Sequence, residues 1–185
     1  MTTIIYAHPY DKSFNHAILE TLKGELEAKG KEYKLIDLYA DGFNPVVEAA
    51  DLALYSRGET NDPLVDKYLD ILMKSSEVFF IAPVWWAEMP AIVKGFFDKA
   101  MLAGRAYKYA ETGLVPDKIH IDRTVIFTTT ESPTEMFAPY FLNYLKPHVL
   151  DTVGMLNMEW YNYPGTSHGP EQNRLDFLKL VQDKA

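Results

Sequence analysis

The chain has 185 residues, which is long enough to bury one full hydrophobic core and short for two domains. Its 18 basic and 26 acidic side chains give a net charge of −8, which argues against nucleic acid or an anionic membrane surface as the main partner. There is no cysteine, which excludes disulfides, CxxC redox motifs, cysteine-ligated metal sites and a catalytic thiol.

Nothing in the chain predicts insertion into a membrane or export. The longest nearly uncharged apolar run, Val78–Ala87, is far shorter than the roughly 20 residues that span a bilayer. The first residues, Met1–Ile4, carry no basic region and no long apolar stretch, so no signal peptide is expected. No repeat or linker divides the chain. These features predict one cytoplasmic domain over residues 1–185.

The first part of the chain alternates between strand-like and helix-like patterns. Thr2–Ala7 is short, β-branched and apolar, which is typical of a buried strand, and Glu32–Tyr39 has the alternation of an outer strand. Phe14–Lys29 carries apolar side chains at helical spacing, and Gly30 can end that helix. Asp62-Pro63 supplies the N-cap and the first-turn proline with which a helix begins.

The second part of the chain continues the alternation. Val78–Ala82 is its most strand-like run, and a helix is predicted to begin after Pro90. Arg123–Thr129 and Met155–Tyr163 are predicted strands, and Pro170–Lys184 is a predicted closing helix. Strands separated by helices predict a parallel sheet with helices on both faces.

In such a sheet, ligands bind beyond the carboxyl ends of the strands, where the strand order reverses. Three segments follow predicted strands: His8–Asn15, Pro83–Pro90 and Thr128–Phe137. These segments are therefore the expected place for a ligand site.

Several catalytic motifs are missing, and one is present as a chance match. The chain lacks GxGxxG, a Walker A sequence and HExxH. Gly165–Gly169 fits the GxSxG pattern of a nucleophile elbow, between a predicted strand and a predicted helix. Such hydrolases place an acid and then a histidine after the serine, but only 18 residues follow Ser167 and none beyond His168 is a histidine. The pattern indicates a glycine-containing loop before the last helix.

The segment His8–Asn15 joins a predicted strand to a predicted helix. A helix N-terminus offers free N–H groups and a partial positive charge, which suits a phosphate. Ser13 and Asn15 would add hydroxyl and amide donors, and His8 an imidazole. A serine N-cap, a turn-forming proline and a solvated histidine explain the same residues equally well, so the residues alone leave both interpretations open.

The second segment contains two adjacent tryptophans, Trp85 and Trp86. Neighbouring side chains cannot both point into one core face, so at least one is expected to line a cleft suited to a planar heterocycle. A bulky loop that covers the end of the sheet is the alternative. The third segment, Thr128–Pro133, offers backbone N–H groups and hydroxyls that could bond a polar ring edge.

Three motifs thus stand at predicted strand ends: H-x-x-x-x-S-F-N from His8, P-x-x-W-x-x-x-P from Pro83, and the pair Thr128-Thr129. Together with the segments 37–45 and 106–109, they resemble the NAD(P)H:quinone oxidoreductases of the flavodoxin-like superfamily over essentially the whole chain. That family includes drug-modulator quinone reductases and a flavoprotein that regulates potassium efflux. The resemblance implies a doubly wound, three-layer α/β fold with a five-stranded parallel sheet of order 2-1-3-4-5, and a flavin at the switch point.

The resemblance also implies which residues bind. The family's flavin-phosphate positions match His8, Ser13, Phe14 and Asn15; the segment along the isoalloxazine matches Pro83, Val84, Trp85 and Trp86; the loop at the pyrimidine edge matches Thr128, Thr129, Thr130 and Glu131. The implied acceptor slot comprises Trp86, Phe137 and, on a hairpin that covers the partner's site in a homodimer, Tyr107 and Tyr109. No metal is implied. NAD(P)H would pass a hydride to the flavin and leave, and a quinone would then take the hydride in the same place, in a ping-pong cycle.

The chain departs from the family at three positions. Thr130-Glu131 replaces a glycine pair that lets the backbone approach the flavin closely. A Glu131 carboxylate aimed at the pyrimidine edge would disfavour an anionic reduced flavin, whereas one aimed at solvent would change little. Phe137 takes the place of a tyrosine and no histidine follows before His148, so no protein acid or base is predicted; Trp85 replaces a polar residue.

The favoured function is therefore a flavin-dependent NAD(P)H oxidoreductase that acts on quinones or similar flat acceptors. One alternative is a flavoprotein that associates peripherally with a membrane cation transporter and regulates it. Another is a one-electron carrier that stabilises a flavin semiquinone. The sequence leaves FMN against FAD, and NADH against NADPH, undecided.

Overall fold

A computed structural model describes residues 1–185 and contains a five-stranded parallel sheet. Its strands, in spatial order, are β2 (Tyr33–Asp37), β1 (Thr2–Tyr6), β3 (Glu77–Pro83), β6 (Arg123–Thr129) and β7 (Met158–Tyr163). A separate antiparallel hairpin joins β4 (Tyr107–Ala110) to β5 (Gly113–Pro116). Without the hairpin, the order 2-1-3-6-7 is consistent with the predicted 2-1-3-4-5 topology.

Five α-helices and one π-helix connect the strands. The α-helices are α1 (Phe14–Ala28), α2 (Ala49–Tyr55), α3 (Pro63–Leu72), α4 (Ala91–Ala100) and α5 (Glu171–Lys184). The π-helix spans Tyr140–Leu150, between short 3₁₀ turns at Thr134–Met136 and Asp151–Val153. No helix is long and apolar enough to cross a membrane.

The capping signals correctly predict where α3 begins and where α1 ends. The Asp62 carboxylate accepts a hydrogen bond from the Leu64 backbone N–H (2.9 Å), and Pro63 is the first residue of α3. Gly30 follows α1 with a φ of 64°, a left-handed conformation that glycine adopts without steric cost.

Three elements differ from the predictions made from sequence. The short helix α2 has no buried residue, and so no apolar stripe in the sequence indicates it. The π-helix contains Pro147 and was not predicted, because its turns do not follow the period of 3.6 residues. Strand β7 begins at Met158, three residues later than predicted, after Asn157 breaks the extended backbone with a φ of 49°.

Alternate side chains of the central strands pack into two hydrophobic cores, one on each face of the sheet. In β1, Ile4 and Tyr6 pack with α1 and α5, whereas Ile5 packs on the opposite face with α3, α4 and the π-helix. Strands β3 and β6 alternate in the same way. Because both faces are buried, these strands leave room for polar chemistry only at their ends.

A charged cluster closes the amino-terminal end of the sheet. Arg123 Nη1 lies 2.6 Å from Glu77 Oε1, and Arg123 Nε lies 2.8 Å from Glu159 Oε1. Lys184 Nζ lies 2.9 Å from Glu159 Oε2, and the Tyr161 hydroxyl donates to that same oxygen. Burial alone would raise the pKa of Glu159, but hydrogen bonds from Lys184, Tyr161 and Arg123 outweigh it and lower the pKa to about 2.

Replacing Glu159 by Gln should therefore destabilise the protein in a pH-dependent manner. The folded state holds the carboxylate below its ordinary pKa of 4.5, so the stabilisation is present above that pH and is lost as pH falls toward 2. We expect a loss of about 1 kcal/mol at pH 7 that shrinks at pH 3. Urea unfolding at both pH values measures it. Asp183→Asn, which removes an exposed ion pair with Lys179, is the control and should change little.

Candidate functional site

A cavity of about 290 Å³ lies at the carboxyl ends of β1, β3 and β6. All three predicted segments contribute to it, because parallel strands in register end at one edge. Ten of the twelve residues predicted to bind a cofactor line this cleft; Trp86 and Thr128 do not, and Tyr10 and Thr166 were not predicted. The lining residues are His8, Tyr10, Ser13, Phe14, Asn15, Pro83, Val84, Trp85, Thr129, Thr130, Glu131 and Thr166.

The N-terminus of α1 forms one end of the cleft. Ser13 is its N-cap, and the Ser13 Oγ accepts a hydrogen bond from the backbone N–H of His16 at 3.1 Å. The N–H groups of Phe14 and Asn15 belong to the first turn, so no carbonyl of the helix can pair with them. The serine is thus the cap and also lines the cleft, so the two interpretations of the sequence are compatible.

His8 contributes a hydrogen-bond donor with a defined tautomer. The Tyr10 backbone N–H donates to His8 Nδ1 (3.1 Å), so a neutral ring carries its proton on Nε2. Burial lowers the pKa of His8, which favours this neutral form at pH 7. The Trp85 ring packs edge-on against the imidazole, with centroids 6.0 Å apart. His8 therefore acts as a neutral donor rather than as a fixed positive charge.

Asn15 lies at the floor of the cleft with an unsatisfied polar atom. The residue is 2% exposed, and its Nδ2 donates to Thr129 Oγ1 at 2.8 Å. Its Oδ1 is buried and has no partner within the protein. Because buried polar groups normally find partners, this orphaned atom fits a site that a polar ligand completes. Phe14, the neighbouring residue, instead packs its ring against Tyr163, with centroids 4.8 Å apart.

The two tryptophans occupy a strained tight turn. The backbones of Trp85 and Glu88 exchange two hydrogen bonds, of 2.9 and 3.2 Å. Between them, Trp86 and Ala87 have φ values of 52° and 69°, which non-glycine side chains adopt only at a steric cost. The turn directs Trp85 toward the cleft and leaves Trp86 97% exposed. Such strain concentrates at functional sites.

The threonine pair that ends β6 divides between the two faces of the sheet. Thr129 reaches Asn15, whereas Thr128 is fully buried on the opposite face, where its Oγ1 accepts from Trp160 Nε1 and donates to Asn162 Oδ1, both at 2.8 Å. The side chain of Thr128 is thus not in the cleft, because successive strand residues point to opposite faces.

Thr130 lines the cleft but has no free polar group to offer. Its backbone N–H donates to the Tyr163 carbonyl (2.9 Å), and its hydroxyl donates to the Ser132 carbonyl (2.8 Å) while accepting from Asn162 Nδ2 (2.9 Å). Thr130 therefore shapes the wall of the cleft without donating to a ligand.

Glu131 points neither at the floor of the cleft nor freely into solvent. Its Oε1 accepts from the Ser167 backbone N–H (2.9 Å) and hydroxyl (2.5 Å), and its Oε2 lies 3.4 Å from His168 Nδ1. The Ser167 hydroxyl, with help from His168, lowers the pKa of Glu131. Ser167 and His168 thus share a carboxylate and are not bonded to one another, so the GxSxG match lacks the geometry of a catalytic triad.

A second, larger cavity of about 790 Å³ runs as a groove beside the cleft. Thirteen of its 18 lining residues are hydrophobic. It lies between α4, the β4–β5 hairpin and the π-helix, and its lining includes Trp86, Phe97, Met101, Tyr107, Leu114, Tyr140, Tyr144 and His148. Of the predicted acceptor residues, Trp86 and Tyr107 line this groove. Tyr109 is 74% exposed on the hairpin and Phe137 packs against the core; neither lines the cleft or the groove.

Substituting glycine for Ala87 should stabilise the protein. A left-handed backbone costs a non-glycine residue about 1–2 kcal/mol, and glycine removes most of that cost. We expect a gain of about 0.5–1 kcal/mol in thermal or urea unfolding. The control is Ala40→Gly, at an exposed turn residue without a positive φ, which should instead lose about 0.4–1 kcal/mol. Equal effects of the two substitutions would contradict strain at Ala87.

Comparison with known proteins relates the chain to reductases. NAD(P)H dehydrogenase (quinone) 1 of Rattus norvegicus is 32% identical over 124 residues, which cover 58% of this chain and 45% of the rat protein. The chain thus spans about half the length of that relative. Ribosyldihydronicotinamide dehydrogenase (quinone) of Rattus norvegicus is 27% identical over 209 aligned positions, which cover 96% of this chain and 85% of that protein.

Among solved structures, the fold resembles an FMN-dependent NADH-azoreductase from Bacillus anthracis in complex with FMN. The TM-score is 0.79 at 17% identity, over 99% of this chain and 96% of the other. The family profile described as "Flavodoxin-like fold" matches residues 1–180. Since that match covers almost the whole chain and agrees with the order of the five parallel strands, the protein belongs to the flavodoxin-like fold family.

Proposed function

We propose that this protein is a flavin-dependent oxidoreductase that transfers hydride from NAD(P)H to quinones or similarly flat aromatic acceptors. The observation that carries the proposal is the cleft at the switch point, where the N-terminus of α1, a neutral His8 donor and the orphaned Asn15 amide converge. The relatives named as quinone dehydrogenases, and the FMN-dependent protein of the same fold, support the choice of cofactor and substrates.

The phosphate of the flavin would bind at the N-terminus of α1. No lysine or arginine side chain lines the cleft, so the free N–H groups and the dipole of α1 would supply the positive potential. The Ser13 hydroxyl and His8 Nε2 would donate to the phosphate, whereas the orphaned Asn15 Oδ1 only accepts and would bond a hydroxyl or N–H group of the cofactor. This cradle suits one phosphate, as in FMN, without excluding a second phosphate outside the cleft.

The ring of the flavin would lie along the segment from Pro83 to Trp85. A bound flavin accepts a hydride from NAD(P)H and passes it to a second substrate, in a ping-pong sequence when both use one face. The aromatic wall of Trp85 and the backbone at Thr129 would orient the ring. Trp86 and Tyr107, at the adjoining groove, would contact a flat acceptor. We assign no protein acid or base, because Glu131 is paired with Ser167 and His8 is assigned to the phosphate.

Substituting Asp for Asn15 tests the phosphate cradle without enlarging the cavity. Asp cannot donate as Asn15 Nδ2 does, but it can accept from the Thr129 hydroxyl and it suits a helix N-terminus, so folding should be preserved. Its charge opposes a phosphate, and we expect FMN to bind at least about tenfold more weakly while riboflavin, which lacks the phosphate, binds unchanged. Asn173→Asp, at an exposed position of the first turn of α5, is the matched control. Fluorescence titration of apoprotein measures both ligands.

The proposed activity is tested first by the visible spectrum of the purified protein and by chromatography of the released cofactor. We expect a flavin spectrum and quinone-dependent oxidation of NADH or NADPH. A colourless protein that takes up neither FMN nor FAD would contradict the proposal. Copurification of the flavin-loaded protein with a membrane cation antiporter would favour the transporter-regulating alternative.

We further propose that two copies of the chain pair across the groove. Three large apolar side chains that line the groove are exposed: Trp86, Leu114 (48% exposed) and Tyr144 (65% exposed). Contiguous exposed apolar surface of this kind marks an interaction site. The adjacent hairpin also exposes Tyr109, which would give the second copy an aromatic contact.

Substituting Asp for Leu114 should weaken that pairing. Burying a carboxylate in an apolar interface is unfavourable, so we expect a dimeric wild type and a largely monomeric variant at micromolar concentration. Light scattering coupled to size-exclusion chromatography measures the mass. Leu175→Asp, at a similarly exposed leucine of α5 outside the groove, should stay dimeric. A monomeric wild type would overturn the proposal.

A further inference from the structure

The residues 165–169, which we name the wall loop, close one side of the cofactor cleft. Thr166 of this loop lines the cleft beside Glu131. The loop lies between β7 and α5, and the residues Thr130 and Glu131 that hold it are 36 positions from it in the sequence. Its position therefore depends on tertiary contacts rather than on local turn geometry alone.

Two sets of contacts hold the wall loop. Backbone and side chain of Thr166 both donate to the Thr130 carbonyl, at 3.1 and 2.9 Å, and Arg174 Nη2 donates to the Thr166 carbonyl at 2.6 Å. The second set is the carboxylate of Glu131, which accepts from the N–H and hydroxyl of Ser167. The first set fixes where the loop begins, and the second holds its tip.

Charge favours the second set of contacts. Hydrogen bonds to an ionised carboxylate are stronger than those between neutral groups. The side chains that face this carboxylate are Ser167 and His168, whose Nδ1 lies 3.4 Å from Oε2, and Arg174 Nη2 bonds the Thr166 carbonyl at the other end of the loop. Glu131 is thus committed to the loop tip and not to the reacting part of a ligand.

We propose that Glu131 is a positioning residue that holds the wall loop closed over the cofactor cleft and so slows the release of flavin. The proposal rests on the flavin-binding function proposed above. It gives a physical role to Glu131, which stands where related sequences have a glycine that lets the backbone approach the flavin. Here the Glu131 carboxylate instead holds the wall loop through Ser167, and we name this contact the clasp. It also gives the GxSxG match a role, since Ser167 supplies both donors to the clasp.

The test compares Glu131→Ala, Glu131→Gln and Glu135→Ala. Glu135 is an exposed glutamate of the same segment that lines neither cavity, and it serves as the control. Gln keeps an oxygen that can accept from the Ser167 N–H but lacks the charge, so it should restore part of what Ala removes. Two readouts are used: amide hydrogen exchange at Ser167 in the apoprotein, and the rate of flavin release followed by fluorescence recovery.

We expect Glu131→Ala to accelerate both exchange and flavin release by about threefold to tenfold, with Gln between Ala and wild type and Glu135→Ala unchanged. If the amide of Ser167 exchanges at the wild-type rate in Glu131→Ala, Glu131 does not hold the wall loop and the proposal is overturned. Faster exchange with an unchanged release rate would overturn its role in holding flavin. A wild-type protein that binds no flavin would overturn both the proposed function and this proposal. A Glu131→Ala variant that binds flavin and releases it at the wild-type rate would overturn this proposal alone.

Discussion

The burial of both faces of the parallel sheet is the constraint on which the site depends. Side chains of β1, β3 and β6 alternate between two closed cores, so polar groups can gather only where these strands stop. The three strands stop together because they pair in register. A single hydrogen bond, from Asn15 to Thr129, then ties the N-terminus of α1 to the end of β6 and fixes the width of the cleft between them. The free N–H groups of the helix and the orphaned Asn15 Oδ1 are consequences of that arrangement.

The departures from the resembling family change how the cleft is built rather than where it lies. Glu131 occupies a glycine position, yet its carboxylate turns toward Ser167 and away from the cleft floor, where the Ser167 N–H and hydroxyl donate to it. Trp85 occupies a polar position and packs edge-on against His8, whose pKa is lowered by burial. Both substitutions leave the helix N-terminus, the source of positive potential, unobstructed.

Much of this architecture could be predicted from the sequence because it follows from periodicity and from capping. Apolar runs predicted the five strands of the sheet, and strand ends pointed to the three segments that line the cleft. The alternation of strand residues also predicts that Thr128 and Thr129 point to opposite faces of the sheet. The resemblance placed both in the cofactor site, and so the side chain of Thr128 was assigned to the wrong face. The π-helix left no recognisable period, and α2 buries nothing. The contact of Glu131 with Ser167 joins residues 36 positions apart, and no local pattern encodes such a pairing.

The turn at Trp85 and Trp86 links the two cavities. Adjacent side chains of one strained turn enter different spaces, because Trp85 lines the cofactor cleft and Trp86 lines the apolar groove. In an extended backbone, the two rings would lie on opposite faces of one strand. The left-handed φ values at Trp86 and Ala87 turn the chain instead, and the two rings reach neighbouring cavities. Any molecule that packs against Trp86 therefore acts on the same turn that positions Trp85 against His8. If the groove pairs two copies of the chain, the second copy contacts the turn that carries Trp85.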